Sequence, residues 1–299
     1  MKNKLVSIVG TTASGKSSLG IELAEHYGTE IVSADSRQVY RHLDLGTGKV
    51  TPEEMARVKH HLIDILDLNA PFSMAEFQPL AYVAIDDISS RGMLPLLVGG
   101  TGLYTRSVVE GYNLVDVPPN DELRDTLSKK SAAELRSILA SYGVTEIAGE
   151  VSERRMIRMI EKLSAGVSAE SESTPRYDVL QLGMTFERDT LYRRIGERLD
   201  DRIKQGMIEE VENIVKMGAT PEFLEKLGLE YRYTYRYISG QYPSFEDYRA
   251  ELYKEICHFA KRQMTWFKKE KSIIWLDTSK DTFAEARELI DRFMENTNE

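Results

Sequence analysis

The chain has 299 residues, 41% hydrophobic and 29% charged, and its 39 Lys plus Arg against 48 Asp plus Glu leave a net charge of −9. This suits a globular protein of one large domain or two and excludes a protein that coats nucleic acid indiscriminately, though not one with a local basic face. A single cysteine, Cys257, excludes an internal disulfide and fits a reducing cytoplasmic compartment; no stretch approaches a membrane span, and the first apolar run is too short for a signal peptide.

Leu5–Val9 is short, apolar and rich in β-branched residues, and it predicts a buried strand. It runs into "GTTASGKS", where Gly10, Gly15, Lys16 and Ser17 fit the phosphate-loop spacing G-x-x-x-x-G-K-[ST]. Helical spacing follows from Ser17 to His26. Further strands are predicted at Glu30–Ser33, Leu62–Ile65 and Leu94–Val98, with a helix at Met74–Arg91. This alternation predicts a parallel sheet, and with the loop an α/β, P-loop NTPase-like fold flanked by helices. Pro118 and Pro119 interrupt it. Asp121–Lys129, Ala132–Tyr142 and Ser152–Leu163 read as charged helices, closed by the loop "SAGVSAESESTPRYD". A strand at Val179–Phe186, a long helix at Asp189–Met217, a helix at Phe245–Lys269, the strand "SIIWLD" and a helix at Thr282–Met294 complete the chain. The expected division is a core of residues 1–114 and 176–299 with a small helical insertion domain at 115–175.

Glycines let successive N–H groups of such a loop point inward around an anion, and the following helix adds partial positive charge. Lys16 supplies a point charge and Ser17 a hydroxyl for Mg²⁺. A diphosphate or triphosphate is therefore expected. A phosphotransferase or ATPase also needs a carboxylate at a second strand end. "LPLLV" instead runs into "GGTGLY", and Asp86 and Asp87 lie on a helix whose apolar face is Phe77, Leu80, Ala81, Ala84, Ile85 and Ile88, which reads them as solvated. Asp35 follows the strand Ile31–Ser33, at the sheet edge where ligands bind, and can be a general base, a metal ligand or a helix cap.

"GTTASGKS", "SADSRQVYRHLDLGTGK", "HHLIDI", "FSMAEFQ", "LLVGGTGLY", "AKRQMTWFKK" and "WLD", in this order, make the chain resemble the tRNA dimethylallyltransferases, or tRNA isopentenyltransferases. The resemblance is dense over residues 5–110 and 258–277. It implies transfer of a prenyl group from dimethylallyl diphosphate to N6 of the adenine 3′-adjacent to the tRNA anticodon. Gly10, Thr11, Thr12, Ala13, Ser14, Gly15, Lys16 and Ser17 would then hold the departing diphosphate, with Mg²⁺ on Ser17. Asp35 would be the base and Thr101 would line the reaction channel, so the implied catalytic set is Asp35, Thr101 and Lys16. Asp35, Ser36, Arg37 and Gln38 match a stretch touching the flipped base. Arg154, Arg155 and Arg158, Arg232, and Lys261, Arg262, Gln263 and Lys268 match stretches that contact tRNA. Read without the resemblance, the three insertion arginines are a solvated helix face, Trp266 and Phe267 core, and His60 and His61 structural.

The chain departs from the family in "LGLEYRY" (227–233): Tyr231 and Arg232 fit, but Leu227 stands where an arginine is usual and Glu230 where a glycine is usual. An acid facing a phosphate backbone would weaken binding. These departures leave open an adenylate prenyltransferase of the cytokinin type, an ATP-dependent small-molecule kinase and a non-catalytic RNA-binding relative. The expected partners are tRNA and dimethylallyl diphosphate, the expected location the cytoplasm and the expected state a monomer.

Overall fold

The computed structural model describes residues 2–114, 117–146, 151–168 and 173–296. In chain order, β1 (Lys4–Gly10), α1 (Lys16–Tyr27), β2 (Ile31–Ser33), α2 (Pro52–Arg57), β3 (His60–His61), α3 (Met74–Ser90), β4 (Leu96–Gly99) and α4 (Gly102–Val109) form the first half. They are followed by α5 (Asp121–Leu127), α6 (Ala132–Ser141) and α7 (Glu153–Ser164). β5 (Asp178–Met184), α8 (Arg188–Lys204), α9 (Met207–Lys216), α10 (Pro221–Leu227), α11 (Leu229–Ile238), α12 (Phe245–Phe267), β6 (Ile273–Trp275) and α13 (Thr282–Glu295) complete the described chain.

The six strands form one sheet in the order β3-β2-β4-β1-β5-β6, with every pair parallel. A parallel sheet is covered on both faces, which is why its central strands β2, β4 and β1 are mostly apolar. Val6 and Ile8 of β1 pack with Leu19 and Leu23 of α1 and Ile290 of α13. Leu5, Val32 and Leu97 pack on the other face with Phe77, Ala81, Ile85 and Ile88 of α3. Contacts divide the chain into two compact units, residues 1–110 with 175–299, and residues 111–174. The smaller unit is helical. Leu127, Leu135, Leu139, Met156 and Ile160 form its core, and the buried Glu161 accepts from Arg124 (2.7 Å), Arg158 (3.1 Å) and the Asn120 amide (3.0 Å). Part of the predicted loop after α7, residues 169–172, lies outside the described residues.

Three expectations need correction. The third strand is His60–His61, not Leu62–Ile65, because the chain turns away at Leu62 and Asp64, both in the left-handed region (φ 63° and 55°). The long helix expected at 189–217 is two helices, broken at Gly206, whose φ of 103° no helix interior accommodates. Segment 219–240, given no element from sequence, forms α10 and α11.

These last helices hold the loop between β2 and α2. Glu210 of α9 accepts from the backbone amides of Asp44 (3.1 Å), Leu45 (2.8 Å) and Gly46 (3.1 Å), and from the Tyr231 hydroxyl (2.6 Å). Tyr231 is buried. Removing the carboxylate strands these donors, each bond to a charged acceptor being worth about 1.5–3 kcal/mol. Glu210→Ala is expected to lower unfolding free energy by about 3 kcal/mol, as partial resolvation offsets the sum. Urea titration of the variant against the parent measures it.

Candidate active site

β2, β4 and β1 are adjacent and parallel, so the segments leaving their carboxyl ends are neighbours although they lie far apart in sequence. They are Ala34–Asp35, Gly100–Thr101 and the loop 10–17. The approach of β4 to β2 depends on Gly99, where an added Cβ would stand 2.2 Å from the Ala34 carbonyl oxygen. The Ser36 amide donates to Thr101 Oγ1 (3.3 Å). Asp35 Oδ1 accepts from the amides of Arg37 (2.8 Å) and Gln38 (3.4 Å), so this carboxylate does cap the following turn. Among the described residues Oδ2 receives no side-chain or backbone donor, and Asp35 lines the cavity described below.

The loop has the geometry of an anion site. Ala13 and Gly15 take positive φ (61° and 86°), and α1 starts without a side-chain cap, which leaves its first N–H groups unused. Among the described residues the buried hydroxyls of Thr11 and Ser14 meet no partner. The loop is braced from outside by two other helices. Gln263 of α12 accepts from the Thr12 amide (2.9 Å) and donates to the Gly100 carbonyl (2.9 Å). On α8, Arg194 donates to the Ala13 carbonyl (3.0 Å) and Arg198 to Thr12 Oγ1. Burial, aided by Arg198 and Arg202 and opposed by Asp35, lowers the Lys16 ammonium to about 8. Burial and then Arg202 push the Arg198 guanidinium down as well. Positive charge is thus crowded here beyond what the local carboxylates balance, a state that an oxyanion relieves.

The cavity is about 590 Å³, the size of a small-molecule site. Lys16, Ser17, Asp35, Ser36, Arg37, Gln38, Thr101, Arg232, Arg262 and Gln263 all line it. Gln38 is fixed by Ser33 Oγ (3.1 Å) and the Gly48 carbonyl (3.2 Å), and Arg37 donates to the Lys226 carbonyl (2.9 Å). Arg232 is tied to the Glu225 carbonyl (2.6 Å). Lys261, Arg262 and Lys268 are exposed on or just after α12, and Arg154 and Arg155 are exposed on α7 of the insertion. Arg158 differs: its guanidinium is spent on Glu161 and the Val117 carbonyl (2.8 Å). The Gln263 amide is likewise committed at both ends to the backbone. Phe267 is core, whereas Trp266 is half-buried over Gly102 at the cavity wall. His61 pairs with Glu30 (2.6 Å) and His60 with the Val58 carbonyl (2.8 Å), both structural.

Among the described residues no three His, Cys, Asp or Glu side chains are grouped to hold a metal. The oxygen donors at the loop, Ser17 Oγ and the phosphate oxygens of a ligand, fit Mg²⁺, which keeps several waters and takes few protein ligands. β4 ends in glycine, and Asp86 and Asp87 are engaged elsewhere: Asp86 pairs with Arg176 and Tyr177, and Asp87 with Arg91. No helix among the described residues is long and apolar enough to cross a membrane.

Sequence reasoning missed the bracing by Arg194, Arg198 and Gln263 and the presence of Arg202 in the cavity. The arginines had a visible signal, since they recur every fourth residue and share one face of α8.

Comparison with known proteins agrees with this geometry. The model of the family described as IPP transferase matches residues 38–270, and that of isopentenyl transferase matches residues 3–70. A tRNA dimethylallyltransferase 2 of Treponema denticola is 44% identical over 276 residues, covering 90% of this chain and 92% of its own. A tRNA dimethylallyltransferase 1 of Porphyromonas gingivalis is 43% identical over 270 residues, covering 88% and 89%. The solved structure of the full-length tRNA isopentenylpyrophosphate transferase of Bacillus halodurans superposes with a TM-score of 0.76 at 35% identity, covering 98% of this chain and 97% of that one. A eukaryotic dimethylallyltransferase acting on tRNA gives 0.81 at 25% identity, over 98% and 80%. A parallel sheet that delivers a phosphate loop, Asp35 and Thr101 to one cavity, in a chain this similar to these enzymes, belongs to the IPP transferase family of tRNA dimethylallyltransferases.

Proposed function

We propose that the protein transfers a dimethylallyl group from dimethylallyl diphosphate to N6 of the adenine 3′-adjacent to the anticodon of tRNA, releasing diphosphate. The observation that carries this reading, in a chain of this family, is the shared cavity. It holds the uncapped loop with Lys16, the free oxygen of Asp35, and Thr101.

The chemistry follows from that arrangement. The C1–O bond of the donor breaks with its electron pair going to diphosphate, and N6 of adenine forms the new bond to C1. The uncapped first amides of α1 and the Lys16 ammonium face the charge that grows on the leaving group, where stabilisation counts most. The N6 lone pair is delocalised into the ring, so removing its proton during attack raises its nucleophilicity. Asp35 Oδ2 takes that proton while Oδ1 stays anchored to the Arg37 and Gln38 amides and holds the carboxylate's orientation. Thr101 Oγ1 accepts from the Ser36 amide, which leaves its own hydrogen for a ligand oxygen. A magnesium ion held by Ser17 would neutralise part of the diphosphate charge.

The adenine must leave its stack to reach Asp35, and Ser36, Arg37 and Gln38 line the cavity it would enter. Exposed Lys261, Arg262, Lys268, Arg154 and Arg155 suit phosphate contacts, and Arg232 stands at the cavity wall. Arg158 and Gln263 serve the fold instead.

The direct test supplies radiolabelled dimethylallyl diphosphate and Mg²⁺ with tRNA lacking the modification, beside parallel reactions with AMP and ATP. Label is expected in tRNA alone; label in the nucleotides and not in tRNA would replace the acceptor. Asp35→Ala is expected to retain diphosphate binding and to lose activity by roughly 10²–10⁴-fold. Undiminished turnover would remove Asp35 as the base.

The protonation of Lys16 gives a further outcome. A bound diphosphate favours the ammonium form, and in the free site that form is lost as pH rises through about 8. Donor affinity, measured by calorimetry, should therefore be constant from about pH 7, above the last phosphate ionisation, to about pH 8. Above it, affinity should fall by up to about tenfold per pH unit, the slope of one linked proton. Lys16→Arg stays charged and should abolish the fall.

A further inference from the structure

α8 presents Arg194, Arg198 and Arg202 on one face. The first two brace the phosphate loop from outside through Ala13 and Thr12. Arg202 lies a turn further along, is only 9% exposed, and lines the cavity with Lys16 and Asp35. Its guanidinium rests on Gly48, which has a φ of +61°; a Cβ there would stand 1.7 Å from Nη2. The motif "LGTGK" thus includes a glycine whose missing side chain is the seat of this arginine.

Arg202 is poorly satisfied. Among the described residues its side chain donates only to Glu230 Oε1, at 3.4 Å. A guanidinium carries five N–H donors in a planar fork, and burying one costs free energy unless acceptors surround it. The group that fills such a fork is an oxyanion with several acceptor oxygens.

Glu230 and Leu227 are the two positions of segment 227–233 that fall outside the pattern the resemblance implies. Leu227 is buried in an apolar cluster with Val39, Leu43 and Tyr231 and brings no charge. Glu230, which as an acid toward a phosphate backbone would oppose binding, instead faces Arg202. The acid at 230 is thus the counter-ion of Arg202.

We propose that Arg202, seated on Gly48 and oriented by Glu230, is a diphosphate-binding residue of this enzyme. The inference rests on the prenyl-transfer reading for its ligand, and a donor-binding measurement separates the two. Inorganic diphosphate with Mg²⁺ is titrated into the full chain, and KM is measured separately for dimethylallyl diphosphate and for tRNA. Arg202→Met is expected to weaken diphosphate binding by about tenfold or more, the value of one charge-assisted bond. It should raise the donor KM similarly and leave the tRNA KM within about twofold. Arg202→Lys, which keeps charge without the fork, is expected to fall between the two, and it serves as the test if the methionine variant does not fold. Adding Glu230→Gln to Arg202→Met should improve diphosphate binding over the single variant, because a carboxylate stranded beside an anion is removed. Unchanged diphosphate affinity in a folded Arg202→Met protein, or a loss confined to tRNA, would overturn the assignment. A double variant weaker than the single would overturn the pairing with Glu230. Diphosphate binding that depends on Arg202 in a parent that labels no tRNA would uphold this inference and reject the acceptor.

Discussion

The adjacency of β2, β4 and β1 is the constraint from which the site follows. Parallel strands end on the same edge, so each connection leaving that edge begins beside the others. β1 contributes the loop, β2 the carboxylate and β4 the threonine, and no long-range search by flexible segments is needed to assemble them. The closeness of β4 to β2 is bought with the missing side chain of Gly99 against the Ala34 carbonyl. A larger residue there would separate Thr101 from Ser36 and so from the turn that aims Asp35.

Electrostatics complete what topology begins. Lys16, Arg198 and Arg202 meet around the loop, and Asp35 and Glu230 are the acids that face them. The imbalance is a cost to the free protein, visible in the lowered values of Lys16 and Arg198. It also preorganises the wall, because these groups are already positioned and desolvated when an anion arrives. The shell behind them is rigid: Gln263 and Arg194 bind loop backbone, and Glu210 gathers the amides of the 44–46 loop.

How much of this was legible in the sequence depends on how local each signal is. The phosphate loop, Asp35 and the strands around them could be read because each is encoded within a few residues by glycine spacing or an apolar run. His60–His61 was missed because those residues look polar, although the register against Ile31 and Val32 makes them strand. The break at Gly206 was read through, since a single glycine in a helical pattern is ambiguous until its φ is known. Asp35 was offered as a cap, a base or a metal ligand, and the structure gives one oxygen to the cap and leaves the other open. Arg202, Glu230 and Gln263 act on residues far away in the chain, so nothing in their neighbourhoods announces what they touch.

The bridge made by Gln263 also bears on how the protein comes into being. Thr12 leaves the ribosome 251 residues before the side chain that receives its amide hydrogen. β1 completes its pairing only when β5 arrives, after the whole insertion has been made. The phosphate loop therefore spends most of its synthesis as an open turn, and it becomes a finished anion cradle only after α12 has docked. Contacts of such sequence separation slow folding, because the chain must be closed over a long distance before they form. They also make donor binding a report on the whole core: a nascent chain or fragment ending before α12 carries the complete glycine-lysine motif without the clamp that holds it in shape.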